Sequence, residues 1–446
     1  MSSHVSGLRT GFGLRVARRI GARRMFGKVC LSGRVCRMAA ILALVGFMVG
    51  CGSSPPSFQL DMVYLRKNQD ADTPYSREQL TNLAEVLTAL FGTPDEPYVI
   101  ADAKLGMHDV METRNLDMAA GPVGSDELGR AHGLYRQHCA HCHGVSGDGA
   151  GPTAAYLNPY PRDYRKGIFK FKSTPTGEKP TNDDLDRILR NGIPGTAMPS
   201  FDLLADDEIE ALLEYVKYLA IRGEVERNLV LEMSELDDGD LLLDSENSAD
   251  GIELVQGAVS MVVSRWQRAE SKVTIPGPRP KSANPLTAST EELQHSILRG
   301  HQIFQGVIAN CFSCHGETAL GDGNLVLFDD WTEELEPEDA KKMAVLVSLQ
   351  DRPQPIRTLK PRNLRRGVYR GGRRPIDLYW RLRNGIDGAK MPAVPVRQAN
   401  DPPEVKGLTE SEVWDLINYV RSLPYDEISR VQYDTHQAGM QLEKPR

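Results

Sequence analysis

Apolar residues recur at helical spacing in several separate stretches of the chain. Between Arg77 and Phe91 they fall at Leu80, Leu83, Leu87 and Leu90, which predicts an amphipathic helix. Leu212, Tyr215, Val216 and Leu219 share one spacing, and Leu416, Tyr419, Val420 and Leu423 repeat it. Residues 257–272 read as a further helix carrying Val262, Val263 and Trp266. One stretch differs: from Met38 to Val49 the chain is apolar throughout. Twelve such residues suit the core of an export signal and are too few for a membrane-spanning helix.

Composition supports a folded protein of several domains. The chain has 446 residues, 40% hydrophobic and 25% charged, which gives a prior of two to four domains. Residues 1–50 carry nine basic side chains and no acidic one, as an exported signal peptide does. The run Met48-Val49-Gly50-Cys51 resembles a bacterial lipoprotein cleavage site, in which Cys51 becomes the lipidated first residue. Gly52 to Ser57 would then form a flexible tether. The alternative is simple cleavage near Gly50, leaving a free thiol. Removing the nine leader charges from the whole-chain −7 leaves −16 for residues 51–446. An acidic surface disfavours nucleic acid and suits a basic redox protein.

The cysteines carry the chemistry. Cys30 and Cys36 lie in the leader, and Cys51 is the candidate anchor. The other four form two constellations, Cys139-Ala140-His141-Cys142-His143 and Cys311-Phe312-Ser313-Cys314-His315. C-x-x-C-H is the attachment signature of c-type haem. On one helical turn, positions i, i+3 and i+4 share a face, so two thiols can join the haem vinyl groups while the histidine reaches the iron. A zinc site would gather ligands that here stand 172 residues apart. A thioredoxin-like site would need a βαβ context, which is absent from the pattern. Disulfides this short would close little loop entropy. Two covalently bound haem c groups are expected.

An internal repeat follows each motif. Arg190-Asn191-Gly192-Ile193-Pro194-Gly195-Thr196-Ala197-Met198-Pro199 returns as Arg383-Asn384-Gly385-Ile386-Asp387-Gly388-Ala389-Lys390-Met391-Pro392. Upstream, the ten residues from Pro161-Arg162 match those from Pro361-Arg362, and downstream the two apolar helices above match each other.

This order resembles the cytochrome c family, over about residues 121–225 and 286–430. The resemblance implies a mainly α fold of two tandem cytochrome c-like domains, each wrapped around its haem. It implies that His143 and His315 are proximal iron ligands and that Met198 and Met391, in their Met-Pro loops, are the second axial ligands. A helix precedes the attachment site in that family. Leu128 to His138 reads as that helix in copy one, with Tyr135 facing inward. Ser296 to Phe304 reads so in copy two, with Gly300 and Phe304 spaced for helix contact. His132 and His301 align and read as surface positions on those helices. His138 and His141 stand too close to His143 to serve the opposite face, and His108, His295 and His436 have no repeat counterparts. Arg162 and Arg362 suit haem propionates, or equally a solvated basic loop. Pro161 and Pro361 are candidates to present the carbonyl that orients each imidazole, with Pro152 and Pro159 competing in copy one.

Outside the repeats, residues 51–120 form a tether and helical extension, 226–285 an acidic and helical interdomain linker, and 431–446 a tail; the acidic stretch runs from Glu224 to Glu246. The Pro-Arg blocks are offset by 200 residues against 172 for the haem motifs, so copy two holds an insertion of about 28, near 325–358. It contains Trp331 and a helical stretch over 337–349, and reads as a partner-docking element or a cover for a haem edge. The expected function is one-electron transfer between membrane or periplasmic redox partners in a respiratory chain, for example an oxidase or another respiratory complex. The expected location is the periplasmic side of the cytoplasmic membrane, with a lipid anchor. The rivals are a haem enzyme, such as a diheme peroxidase or a small-molecule dehydrogenase, and a non-catalytic subunit of a larger oxidoreductase. An enzyme would need an open sixth position near acid–base groups.

Overall fold

A computed structural model describes residues 56–425, apart from 70–72, 103, 238, 245–247, 324–326, 329–353, 355–356, 399 and 403. The leader, Cys51, most of the insertion with Trp331 and its 337–349 stretch, and the tail lie outside the described residues.

The described chain is mainly helical. Its helices are α1 (Met62–Asn68), α2 (Arg77–Phe91), α3 (Thr113–Ala119), α4 (Leu134–His138), α5 (Ala140–His143), α6 (Asn182–Asn191), α7 (Asp206–Glu235), α8 (Ser248–Gln267), α9 (Thr290–Gln305), α10 (Cys311–His315), α11 (Pro375–Asn384) and α12 (Glu410–Ser422). Two short antiparallel ribbons join them: β1 (Gly124–Ser125) with β2 (Ala131–His132), and β3 (Leu327–Phe328) with β4 (Thr358–Leu359). Starts are set by side-chain caps. Ser76 with Gln79, Thr181 with Asp184, Ser289 with Glu292 and Thr409 with Glu412 each form a capping box, which satisfies otherwise orphaned backbone donors.

Two cores organise these helices. The first lies along α7, whose Leu212, Tyr215, Val216 and Leu219 are buried against α1–α4, α6 and α8. Leu83, Leu87 and Leu90 bring α2 onto it. In the second core α9 crosses α12, burying Phe304 against Tyr419 with ring centroids 5.3 Å apart. Gly300 sits at that crossing, where a Cβ would collide with the Asp415 carbonyl. Asp415 is itself buried and binds Arg299 through bonds of 2.8 and 3.1 Å.

The described residues depart from the sequence reading in several places. The helix before the first haem motif begins at Leu134, not Leu128, which is 78% exposed. Gly129 and Gly133 both take positive φ, so the segment turns back as the β1–β2 ribbon instead of nucleating a helix. His132 therefore lies on β2, with Nδ1 3.0 Å from the Pro122 carbonyl, while His301 lies on α9.

The boundary at 225 falls inside α7, which runs unbroken to Glu235. The first residues of the acidic stretch are buried. Glu224 pairs with Lys179 and accepts from Trp266 Nε1 at 2.9 Å, and Glu226 accepts from Arg222 at 2.9 Å. A buried carboxylate is tolerated when its charge is matched and its oxygens are hydrogen-bonded. The expected 257–272 helix starts earlier, at Ser248, and ends at Gln267 in a 3₁₀ turn.

Candidate haem sites

Each C-x-x-C-H motif opens onto a cavity, and the backbone explains how the histidine is held. The motif helix ends at a glycine, and a second Gly-x-Gly loop folds back over it. Gly149 N donates to His143 O (2.9 Å) and Gly151 N to Cys142 O (3.1 Å). In copy two, Gly321 N donates to His315 O (2.8 Å) and Gly323 N to Cys314 O (3.2 Å). These bonds cap the carbonyls left over at the helix end. Gly149 and Gly321 have positive φ, and each also lets the Pro-Arg segment approach. A Cβ on Gly149 would stand 2.8 Å from the Pro161 carbonyl, and one on Gly321 would strike that of Pro361.

That approach delivers the next carbonyl to the imidazole. His143 Nδ1 lies 3.0 Å from Arg162 O, and His315 Nδ1 lies 3.0 Å from Arg362 O. A carbonyl only accepts, so Nδ1 carries the proton and Nε2 keeps its lone pair for a metal. The expectation that Pro161 and Pro361 present this carbonyl is off by one residue, because each proline carbonyl is turned toward its glycine. The Gly-x-Gly loops were missed in the sequence; their signal was their recurrence after both motifs.

Burial pushes the His143 imidazole down to about 4, and it lowers that of His315 as well. Both rings are therefore neutral at ordinary pH, the form that ligates. Tyr164 stacks on His143 with centroids 4.6 Å apart and 13° between planes. Burial raises the Cys139 and Cys311 thiols to about 12, so neither is a reactive thiolate. None of the four motif cysteines forms a disulfide.

The first cavity measures 240 Å³ and is lined by Cys139, Cys142, His143, Arg162 and Met198; His138 and His141 share its wall. The second measures 610 Å³ and is lined by Cys311, Cys314, His315, Arg362 and Met391. Each methionine sits on its repeated loop, closed by Ile193 N to Met198 O (3.1 Å) and by Ile386 N to Met391 O (2.9 Å). Lys170, Phe171 and Arg370 line both cavities, so the two share a wall.

The residues fit a covalent haem. Two thiols, a carbonyl-held imidazole and a thioether face one apolar space in each copy. Arg362 Nε is buried there without a hydrogen-bond partner, a donor that a propionate would satisfy. Among the described residues, no three or more His, Cys, Asp or Glu side chains cluster to hold a bare metal ion.

A helical fold around two such sites defines a haem-binding class. The cytochrome c family model matches residues 129–220 and again 297–424. The chain therefore carries two cytochrome c domains, a kind of domain that implies covalently bound haem c and haem-based electron transfer. No curated protein matches it. A solved chain of the reducing HAO-like protein complex of Kuenenia stuttgartiensis is similar over 68% of this chain and 98% of that one, with 23% identity and a TM-score of 0.40.

Proposed function

We propose that this protein is a one-electron carrier with two haem c groups, and not an enzyme. The reading rests on one observation: in both copies an imidazole held by a backbone carbonyl shares a cavity wall with a methionine from the same repeated loop. Haem, when bound, supplies the exchange between Fe(III) and Fe(II). The chain's own residues do the rest. Cys139 with Cys142, and Cys311 with Cys314, fasten it by thioethers. His143 and His315 would hold its iron through Nε2, and Met198 and Met391 through their thioether sulfurs. Arg162 and Arg362 bind propionates. A thioether favours Fe(II) over Fe(III) relative to a second nitrogen, which places both sites toward higher potential. An iron held by both a histidine and a methionine would offer a substrate no vacant position.

The oxidised protein should show the weak iron–sulfur charge-transfer band at the intensity of two haems, and carbon monoxide should bind slowly or not at all. A high-spin native haem, or one that takes carbon monoxide at once, contradicts the carrier reading and points to a catalytic site. We place the protein outside the cytoplasm, held to the membrane by lipidated Cys51 and exchanging electrons with redox proteins there. No helix among the described residues is long and apolar enough to cross a membrane. Cys51→Ser should move the protein to the soluble fraction with both haems kept; retention in washed membranes rules that anchor out.

A further inference from the structure

The two domains meet at corresponding places of the repeat. Lys172 Nζ lies 3.2 Å from Asp387 Oδ2, with side chains 3% and 14% exposed. Gly177 N donates to the same oxygen at 2.9 Å, and Thr176 Oγ1 donates to Asn384 O at 2.6 Å. Asp387 belongs to the loop that carries Met391, and Asn384 ends α11 just before that loop. From the other side, Arg370 Nη2 donates to Gly195 O at 3.4 Å, within the loop that carries Met198. A Cβ on Gly195 would stand 2.6 Å from Arg362 Nη2 and 3.1 Å from Val368. Between these contacts lie Phe171 and Gly371, equal positions in the repeat. A side chain on Gly371 would collide with the Phe171 ring, so one ring fills the space on behalf of both copies.

We propose that each methionine loop is held in place by the opposite domain, with Asp387 as the positioning residue for Met391. The loops are rich in glycine and half exposed, so ordering them costs backbone entropy that their few internal hydrogen bonds, two backbone ones in each loop and two more through Thr196 Oγ1 in loop one, do not offset. The two copies meet that cost differently. In copy one Pro194 stands where copy two has Asp387, and a proline restricts its own loop. Copy two lacks that restraint and has a buried cross-domain ion pair instead. The contact of Arg370 on loop one is long, consistent with a loop that needs less outside help.

The proposal rests on the reading of Met391 as an axial ligand, and full-length holoprotein separates the two. Asp387→Ala should keep both covalent haems on a stained gel yet reduce the charge-transfer band by about half. One midpoint potential should fall while the other holds, and cyanide should bind one haem roughly tenfold faster as the open loop becomes more populated. Asp387→Asn keeps an acceptor for Gly177 N–H and should restore most of the band. Should Asp387→Ala unfold the second domain by circular dichroism, the double variant Lys172→Met, Asp387→Leu removes both charges without stranding either, and the same loss is required of it. An undiminished band with unchanged potentials in the folded variant overturns the proposal. A full wild-type band in Met391→Ala overturns the ligand assignment itself.

Discussion

The two cytochrome c domains keep the same site and build it on different supports. Both retain C-x-x-C-H, the Gly-x-Gly loop, the arginine carbonyl on the imidazole and the methionine loop. Around this frame the side chains diverge. Tyr135 donates to Gly144 O at 2.9 Å in the first domain, where the second has Phe304. Tyr164 stacks on the first histidine, and Leu364 takes its place in the second. Asp163 grips Arg165 through bonds of 3.0 and 2.9 Å, whereas Asn363 only caps its turn, accepting from Arg365 N at 3.0 Å. The first domain leans on α1–α3 and α8, packed along the thirty-residue α7. The second relies on α9 crossing α12 and has the smaller core among the described residues. What both keep is backbone geometry at the imidazole; what each replaces is the packing that stabilises it.

The largest expected difference follows from removing each haem. Cys139→Ala with Cys142→Ala, and Cys311→Ala with Cys314→Ala, should each leave one covalent haem by mass. A core as small as the second supplies roughly 3–5 kcal/mol alone, so without its haem α9 and α12 should lose hydrogen-exchange protection. The first domain should keep protection in α2, α7 and α8 without its haem. Equal loss in both would show that the added helices do not support the first site.

A smaller effect should separate Asp163 from Asn363. Asp163→Asn keeps the turn cap, as Asn363 demonstrates, but strips Arg165 of its two-point partner in a buried setting. Breaking such a pair costs about 3 kcal/mol at most, because Asp61 Oδ1 stays 3.8 Å from Arg165 Nη2. Asn363→Asp, beside half-buried Arg365, should shift stability by less than about 1 kcal/mol. Denaturant midpoints followed at each haem would test this, and equal shifts would dissolve the distinction.

The smallest difference sets Gly300 against Ala131, its repeat counterpart. Gly300→Ala should cost about 2 kcal/mol, because the added carbon meets backbone that cannot step aside. Ala131→Gly, on the β2 ribbon, should cost about 0.5 kcal/mol. If both changes were equally mild, α9 and α12 would not need their close approach.

Much of this was readable along the chain, for a local reason. Three motif residues on one helical turn, a repeat of three blocks in one order and heptad-like apolar spacing are all short-range patterns. They are enough to name the haem motifs, the two methionine loops, the Arg77–Phe91 helix and the matched helices at 212–219 and 416–423. What required the folded chain is long-range. Glu224 and Glu226 read along the chain only as part of an acidic stretch, and the fold alone brings Lys179, Trp266 and Arg222 to them. The imidazole partner is Arg162 O rather than Pro161 O because Gly149, twelve residues earlier in the chain, takes up the proline carbonyl's approach. Phe171 and Gly371 are two hundred residues apart, and only packing makes the missing side chain of one the space for the other. Periodicity and spacing carry local geometry; which charge is buried, which carbonyl is presented and which loop is held from outside depend on partners brought together by tertiary contact.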